Sequence, residues 1–201
     1  MPRVSQSHLD ARRRQILDGA LRCFTRRGFH TSSMQDVLTE IGLSAGAVYR
    51  YFSGKEEIIQ AIAEEMLRDF AARMTAYVEQ DDVPAFEEFV RQLPAVSAHV
   101  TGNPETAGML LQVWSEAPRS PGLSAAAKSG FEEIVAVLTK VVVVYQDRGE
   151  LSRDVAAEDC ARVIISVMQG YVLQRAIFRT GEMESFQAAF AALVRTAPPL
   201  S

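Results

Sequence analysis

The chain has 201 residues, 48% of them hydrophobic, and a net charge of −4. This composition is typical of a globular protein with one large or two small domains, and it excludes a disordered chain. The first fourteen residues are polar and basic, and the longest apolar stretch, residues 161–178, contains two arginines and two glutamines. We therefore expect no signal peptide, no membrane span and a cytoplasmic location.

The charge is distributed unevenly along the chain. Residues 1–55 contain nine Arg or Lys and four Asp or Glu, whereas residues 56–201 contain twelve and twenty-one. A basic head on an acidic body indicates that the head alone contacts a polyanion such as nucleic acid. Chance clustering of solvated charges would give the same counts, so a motif has to decide between the two.

Residue types that carry catalysis or bind metals are scattered. The two cysteines, Cys23 and Cys160, lie singly in helix-patterned sequence. The three histidines, His8, His30 and His99, have no partner at a ligand spacing. GxSxG, HExxH and Gly-rich phosphate motifs do not occur. We therefore predict no metal site, no cofactor and no enzymatic activity.

The first three predicted helices are joined by tight turns. Apolar residues at spacings of three and four predict a helix over residues 10–27. A second begins after Ser33, a good N-cap, and Gly42 ends it because glycine reaches the left-handed backbone at low cost. Ser44 caps a short third helix over residues 45–51. Three short helices in this order indicate a helix-turn-helix unit, in which the third enters the major groove of DNA.

The remaining sequence also has helical periodicity. A long helix follows Lys55, another begins near Pro84, and a third contains Trp114. Three more are predicted over residues 123–148, 156–179 and 184–195. The β-branched run 141–145 alone would favour a strand. It nevertheless continues a helical stripe, and no partner strand is visible, so we predict a helix there as well.

The head resembles a known family in its residues. The runs 32–37, 42–52 and 55–58 resemble the signature of TetR transcriptional regulators, and Gly28-Phe29 resembles the family's turn after the first helix. The resemblance is specific over residues 10–58 and weaker beyond them.

The resemblance implies an all-α fold of about nine helices. Residues 1–55 would form the helix-turn-helix DNA-binding domain, and residues 56–201 a helical ligand-binding and dimerisation domain. Three positions depart from the family pattern: Leu38 and Ile41 are larger than usual, and Ala47 replaces a usual Thr or Ser. The packing of the second helix must therefore adjust, and one hydrogen bond to DNA would be missing.

The resemblance also implies which residues contact DNA. The implied phosphate contacts are Ser33, Tyr49, Tyr51 and Lys55. The implied positions at the groove floor are Gln35, which reads a base, and Ala45, Gly46 and Ala47. Ser44, at the N-cap of the third helix, and Arg50, which would contact a guanine edge or a phosphate, complete the set.

The body is expected to hold an effector and a second copy of the chain. Candidate effector contacts, each of which could equally be ordinary core, are Met66, Phe70, Met109, Gln112, Trp114, Tyr171, Gln174 and Phe178. The two long helices near the C-terminus would form a four-helix bundle with their copies. Their candidate interface residues are Ile134, Leu138, Val141, Tyr145, Val163 and Val167.

These inferences predict a repressor that binds a palindromic double-stranded DNA operator as a homodimer and is released by a small, mostly apolar effector. Two alternatives stay open: a DNA-binding protein without a small-molecule ligand, and an activator. The sequence identifies neither the effector, nor the operator, nor the regulated genes.

Overall fold

The computed structural model describes residues 6–80, 83–96, 104–179 and 182–195. Within these ranges the chain forms nine α-helices and one short 3-10 turn, with no strand, which confirms the all-α prediction. The helices are α1 (Gln6–Arg27), α2 (Met34–Ile41), α3 (Ala45–Tyr49), α4 (Lys55–Val78), α5 (Phe86–Val96), α6 (Pro104–Glu116), α7 (Pro121–Asp147), α8 (Ala157–Phe178) and α9 (Met183–Arg195). None of the described helices combines the length and apolar character that a membrane crossing requires.

Two hydrophobic cores lie along α4. The first joins α1, α2 and α3 to the first half of α4 and includes Met109 and Val113 of α6. The second joins the other half of α4 to α5, α7 and α8, with α9 packed against it. Because α4 runs unbroken through both cores, the domain division expected at residue 55 stays a prediction.

The large residues on α2 are accommodated by a glycine on α1. A Cβ at Gly19 would lie 2.6 Å from the Cγ1 atom of Ile41, so the glycine lets the two helices approach closely. Leu38 and Ile41 are buried in the first core. Gly42 then ends α2 at a φ of 70°, a backbone conformation that favours glycine. The unusual size of Ile41 is therefore matched by the small residue opposite it.

The β-branched run 141–145 lies inside the 27-residue helix α7. Val141 and Val142 are buried in the second core, and Tyr145 is fully buried with its hydroxyl donating to the Pro84 carbonyl at 3.0 Å. Tertiary burial thus overrides the strand propensity of the run. Pro84 itself lies just before α5, which begins at Phe86 rather than at the proline.

Candidate DNA-binding surface and effector cavity

A capping box builds the start of α2. The Ser33 hydroxyl accepts a hydrogen bond from the Asp36 amide at 3.2 Å, and the Asp36 carboxylate accepts from the Ser33 amide at 3.0 Å. The Ser33 hydroxyl also donates to that carboxylate at 2.6 Å. The hydrogen predicted to meet a phosphate is therefore used within the protein. These bonds and nearby Arg27 lower the pKa of Asp36.

Helix α3, which is predicted to be the recognition helix that enters the DNA groove, has a buried face and an exposed face. Val48 is fully buried and Phe52, just beyond the helix, is nearly so, whereas Tyr49 is 50% exposed. Ser44 caps the helix by accepting from the Ala47 amide at 3.3 Å. The predicted contacts that lie exposed on α2, on α3 and at their ends are Ser33, Gln35, Ser44, Ala45, Gly46, Tyr49 and Arg50. Ala47 and Tyr51 are half-buried, so less of each faces solvent.

Lys55 connects the start of α4 to the turn between α1 and α2. Its ammonium donates to the carbonyls of Phe29 at 2.9 Å and Ser32 at 3.0 Å. It also lies 4.5 Å from the centre of the Phe29 ring. Lys55 is thus a structural tie as well as a candidate phosphate ligand, because an ammonium has three N–H groups and two are used here.

The positive charge of the head is partly neutralised within the head. Three arginines of α1 pair with acids of α2: Arg22 and Arg26 with Glu40, and Arg27 with Asp36. Arg50, by contrast, makes no ion pair in the part of the chain that the structure describes. Among the described residues, Arg50 is therefore a cation at the end of α3 that no carboxylate neutralises.

A cavity of about 290 Å³ lies in the body between α4, α5, α6, α7 and α8. The residues that α4 and α5 contribute to its walls are Ala63, Met66, Leu67, Phe70 and Leu93. Those from α6 and α7 are Leu110, Val113, Trp114, Ala127, Phe131, Ile134 and Leu138. Those from α8 are Ile164, Ile165, Met168, Gln169 and Val172. This is an apolar site of the kind that binds small molecules.

Three of the eight predicted effector residues, Met66, Phe70 and Trp114, line this cavity. The other five lie elsewhere. Helical periodicity identifies an apolar face but does not show which neighbouring helix covers it. Met109 is buried in the first core, and Tyr171 stacks on Phe186 with ring centres 4.3 Å apart. Gln112 bonds to the head, and Gln174 and Phe178 are exposed. The prediction missed Gln169, although it lies four residues after Ile165 and three before Val172 on one helical face.

The structure places the predicted dimer residues of α7 inside the protomer. The four residues, Ile134, Leu138, Val141 and Tyr145, are buried within the protomer's own second core, so almost none of their surface is exposed. On α8 the situation differs. Val163 is 63% exposed, and Val167 is half-buried. An apolar surface is therefore exposed on α8, whereas the four predicted residues of α7 expose almost none.

Helix α6 links the cavity to the head. The side-chain carbonyl of Gln112 accepts a hydrogen bond from the Phe29 amide at 2.5 Å. One turn further on, Glu116 lies 2.9 Å from Nε2 of His30. The neighbouring residues Val113 and Trp114 line the cavity. One helix thus contacts both the cavity and the α1–α2 turn, and Lys55 in turn connects that turn to α4.

A helix-turn-helix head on a helical body with an apolar cavity defines a class of DNA-binding regulators. Two family models match the chain: bacterial regulatory proteins of the tetR family over residues 16–62, and the C-terminal part of BetI-type transcriptional repressors over residues 89–197. The chain belongs to the TetR family of DNA-binding transcriptional regulators.

Curated relatives are named as transcriptional regulators or repressors. The chain is 44% identical over 72 residues to the repressor Rv1474c of Mycobacterium tuberculosis, which covers 36% of this chain and 38% of that protein. It is 24% identical over 166 residues to UidR of Escherichia coli, covering 82% of each. It is 27% identical over 164 residues to the nicotine-responsive repressor HdnoR of Paenarthrobacter nicotinovorans, covering 81% of this chain and 82% of that one. The chain spans about two fifths of the length of the first curated relatives it matches.

Solved structures share the fold. Salmonella enterica GusR has a TM-score of 0.74 and 23% identity, over 96% of this chain and 97% of that chain. FadR from Bacillus subtilis, solved in complex with stearoyl-CoA, has a TM-score of 0.77 and 16% identity, over 92% of this chain and 98% of that chain. At these identities the likeness establishes the fold alone.

Proposed function

We propose that this protein is a cytoplasmic, effector-responsive repressor that binds a palindromic operator as a homodimer and is released when a small apolar molecule enters the cavity. The observation that carries the proposal is helix α6, which contacts the cavity through Val113 and Trp114 and the DNA-binding head through Gln112. Relatives named as repressors, one of them nicotine-responsive, support both the sign of regulation and the response to an effector.

In the proposed complex, DNA contacts the exposed faces of α2 and α3. Gln35 reads a base edge, and Ala45, Gly46 and Ala47 let the backbone of α3 approach the groove floor. Phosphate contacts come from Tyr49, Tyr51, Arg50 and the remaining N–H of Lys55. Ser33 contributes chiefly by capping α2, because its hydroxyl is bonded to Asp36.

In the proposed dimer, two copies of the chain pair through one face of α8. Val163, Val167, Gly170, Gln174 and Ile177 follow each other at alternating spacings of four and three, which is the pattern of a helix–helix seam. Val163 and Ile177 are 63% and 55% exposed in the single chain, although they are apolar. Pairing of α8 with its copy would cover them and would set the distance between two recognition helices.

Helices α6 and α4 would couple effector binding in the cavity to operator binding by the head. An effector shifts operator affinity only if it binds the DNA-bound and free conformations unequally. A ligand that displaces Trp114 moves α6, and with it Gln112 and the Phe29 turn that Lys55 ties to α4. A shift of α4 changes the spacing of the recognition helices, for which a palindrome tolerates one value.

A ligand-independent DNA-binding protein and an activator are the competing functions. The test selects an operator from a random DNA pool and measures its affinity by fluorescence anisotropy, with and without compounds that raise the melting temperature of the protein. The proposal expects stabilising compounds to weaken operator binding by 5- to 150-fold, a coupling of about 1–3 kcal/mol. Compounds that stabilise the protein yet leave operator affinity unchanged would favour the ligand-independent alternative, and compounds that tighten it would contradict release by the effector.

A further inference from the structure

We infer that the cavity selects an uncharged, mostly apolar molecule of about a dozen non-hydrogen atoms whose one polar group is bound by the side-chain amide of Gln169. The inference rests on the proposed function only in treating this cavity as the effector site. Three properties of the cavity carry it: the chemistry of its walls, the side-chain amide of Gln169 and its volume.

The walls exclude a buried charge on the ligand. Of the described residues that line the cavity, none has an ionisable side chain. An ammonium or carboxylate placed there would lose its water without gaining a counter-ion, which is costly. The rings of Phe70, Trp114 and Phe131 could attract a cation, but a ring replaces only part of the lost hydration. A neutral ligand avoids this penalty.

Gln169 provides the polar contact. It lies on α8 between the cavity residues Ile165 and Val172, and its amide makes no hydrogen bond within the part of the chain that the structure describes. A side-chain amide offers two donors and one acceptor. A carbonyl, amide or hydroxyl on the ligand would pair with it, whereas a hydrocarbon would leave it unpaired and lose affinity.

The volume sets the size of the part of the ligand that the cavity surrounds. An apolar cavity of about 150 Å³ holds benzene, which has six non-hydrogen atoms. A cavity of about 290 Å³ therefore holds roughly twice as many. Such a molecule is a small aromatic or short aliphatic compound with one polar group.

The test uses four compounds with one skeleton. 4-Phenylbutanamide is neutral and polar, 4-phenylbutanoate is an anion, 4-phenylbutylammonium is a cation and butylbenzene has no polar group. Trp114 is the one tryptophan of the chain and lines the cavity, so its fluorescence reports binding without DNA. Affinities are measured for the wild type, for Gln169→Leu and for the control Gln92→Leu, an exposed glutamine on α5.

We expect the amide to bind the wild type at least about tenfold more tightly than either ion. Gln169→Leu should weaken the amide about fivefold or more and leave butylbenzene unchanged or tighter, whereas Gln92→Leu should change neither. If Gln169→Leu fails to fold, Gln169→Met, which keeps the length of the side chain, is used in place of that variant.

Three results would overturn the inference: an ion that binds as tightly as the amide, a Gln169 variant that binds all four compounds as the wild type does, or no binding by any of the four at millimolar concentration. Operator affinity, measured separately with the bound amide, tests the proposed function. An amide that binds through Gln169 but does not release DNA would uphold this inference and contradict the proposed function.

Discussion

Some polar side chains of the head bond within the fold, whereas others remain available to DNA. Ser33 and Lys55 both lie at helix starts, where the family resemblance implied phosphate contacts. In the fold, the Ser33 hydroxyl pairs with Asp36, and Lys55 bonds to two carbonyls of the α1–α2 turn. Gln35 makes no side-chain hydrogen bond in the described structure, so its amide is available to a base.

Gln35→Ala should relax operator specificity at one base position. The lost amide would have paired with a base edge, so discrimination there should fall by roughly 1–3 kcal/mol. Selection from a random DNA pool, followed by sequencing, measures this. Lys55→Met is the contrast: it should weaken all sequences alike and reduce the salt slope by about one. Identical sequence preferences for the wild type and Gln35→Ala would refute the base-reading role.

Acid should destabilise the head through two carboxylates. Hydrogen bonds from Ser33 lower the pKa of Asp36 from its ordinary value, and hydrogen bonds from Ser53 lower that of Glu57. A carboxylate whose pKa is lower in the folded state stabilises the fold above its unfolded pKa, and this contribution is lost as pH falls through the folded value. The stabilisation is thus complete at neutral pH.

The variant Asp36→Asn with Glu57→Gln should be less stable than the wild type at neutral pH but should lose less stability between about pH 5 and pH 3. Urea unfolding at several pH values in this window gives both curves. Parallel curves for the two proteins would show that these carboxylates do not contribute to the acid sensitivity.

At the scale of helices, the sequence predicts more of the head than of the body. Ser33, Ser44 and Gly42 act through local backbone chemistry, so the caps and turns of α2 and α3 could be read from the chain. The stripe from Ile134 to Tyr145 could be recognised as apolar. Periodicity does not say what covers such a stripe, and here α4, α5 and α8 of the same chain cover it. Gln169 was missed for the same reason: its exposure to a cavity depends on five helices at once.

Gln112→Leu should uncouple the effector from DNA. The substitution removes the bond from the Phe29 amide to α6, at a cost of about 1 kcal/mol in stability, and leaves the cavity walls intact. Effector binding, followed by Trp114 fluorescence, should therefore be unchanged, while the fall in operator affinity on adding effector should shrink. Gln92→Leu is the control and should keep the full response. An undiminished response in Gln112→Leu would move the coupling to another contact.

At the scale of the whole molecule, Val163→Glu should give a folded monomer. An unpaired charge in the α8 seam would oppose dimerisation, whereas the side chain is exposed in the single chain and does not disturb either core. Val141→Glu, inside the second core, should instead unfold the protein. Light scattering with circular dichroism distinguishes the two outcomes. A dimeric Val163→Glu would contradict the proposed seam.

In the proposed function, a dimer docks two recognition helices on a palindrome and releases counterions from its phosphates. The decisive measurement is operator affinity by anisotropy from low to moderate salt, with a half-site duplex as the control. We predict a slope of log K against log salt of several negative units for the palindrome and about half of that for the half-site. A flat response, or equal affinities and slopes for the two duplexes, would rule out docking of a dimer on the palindrome.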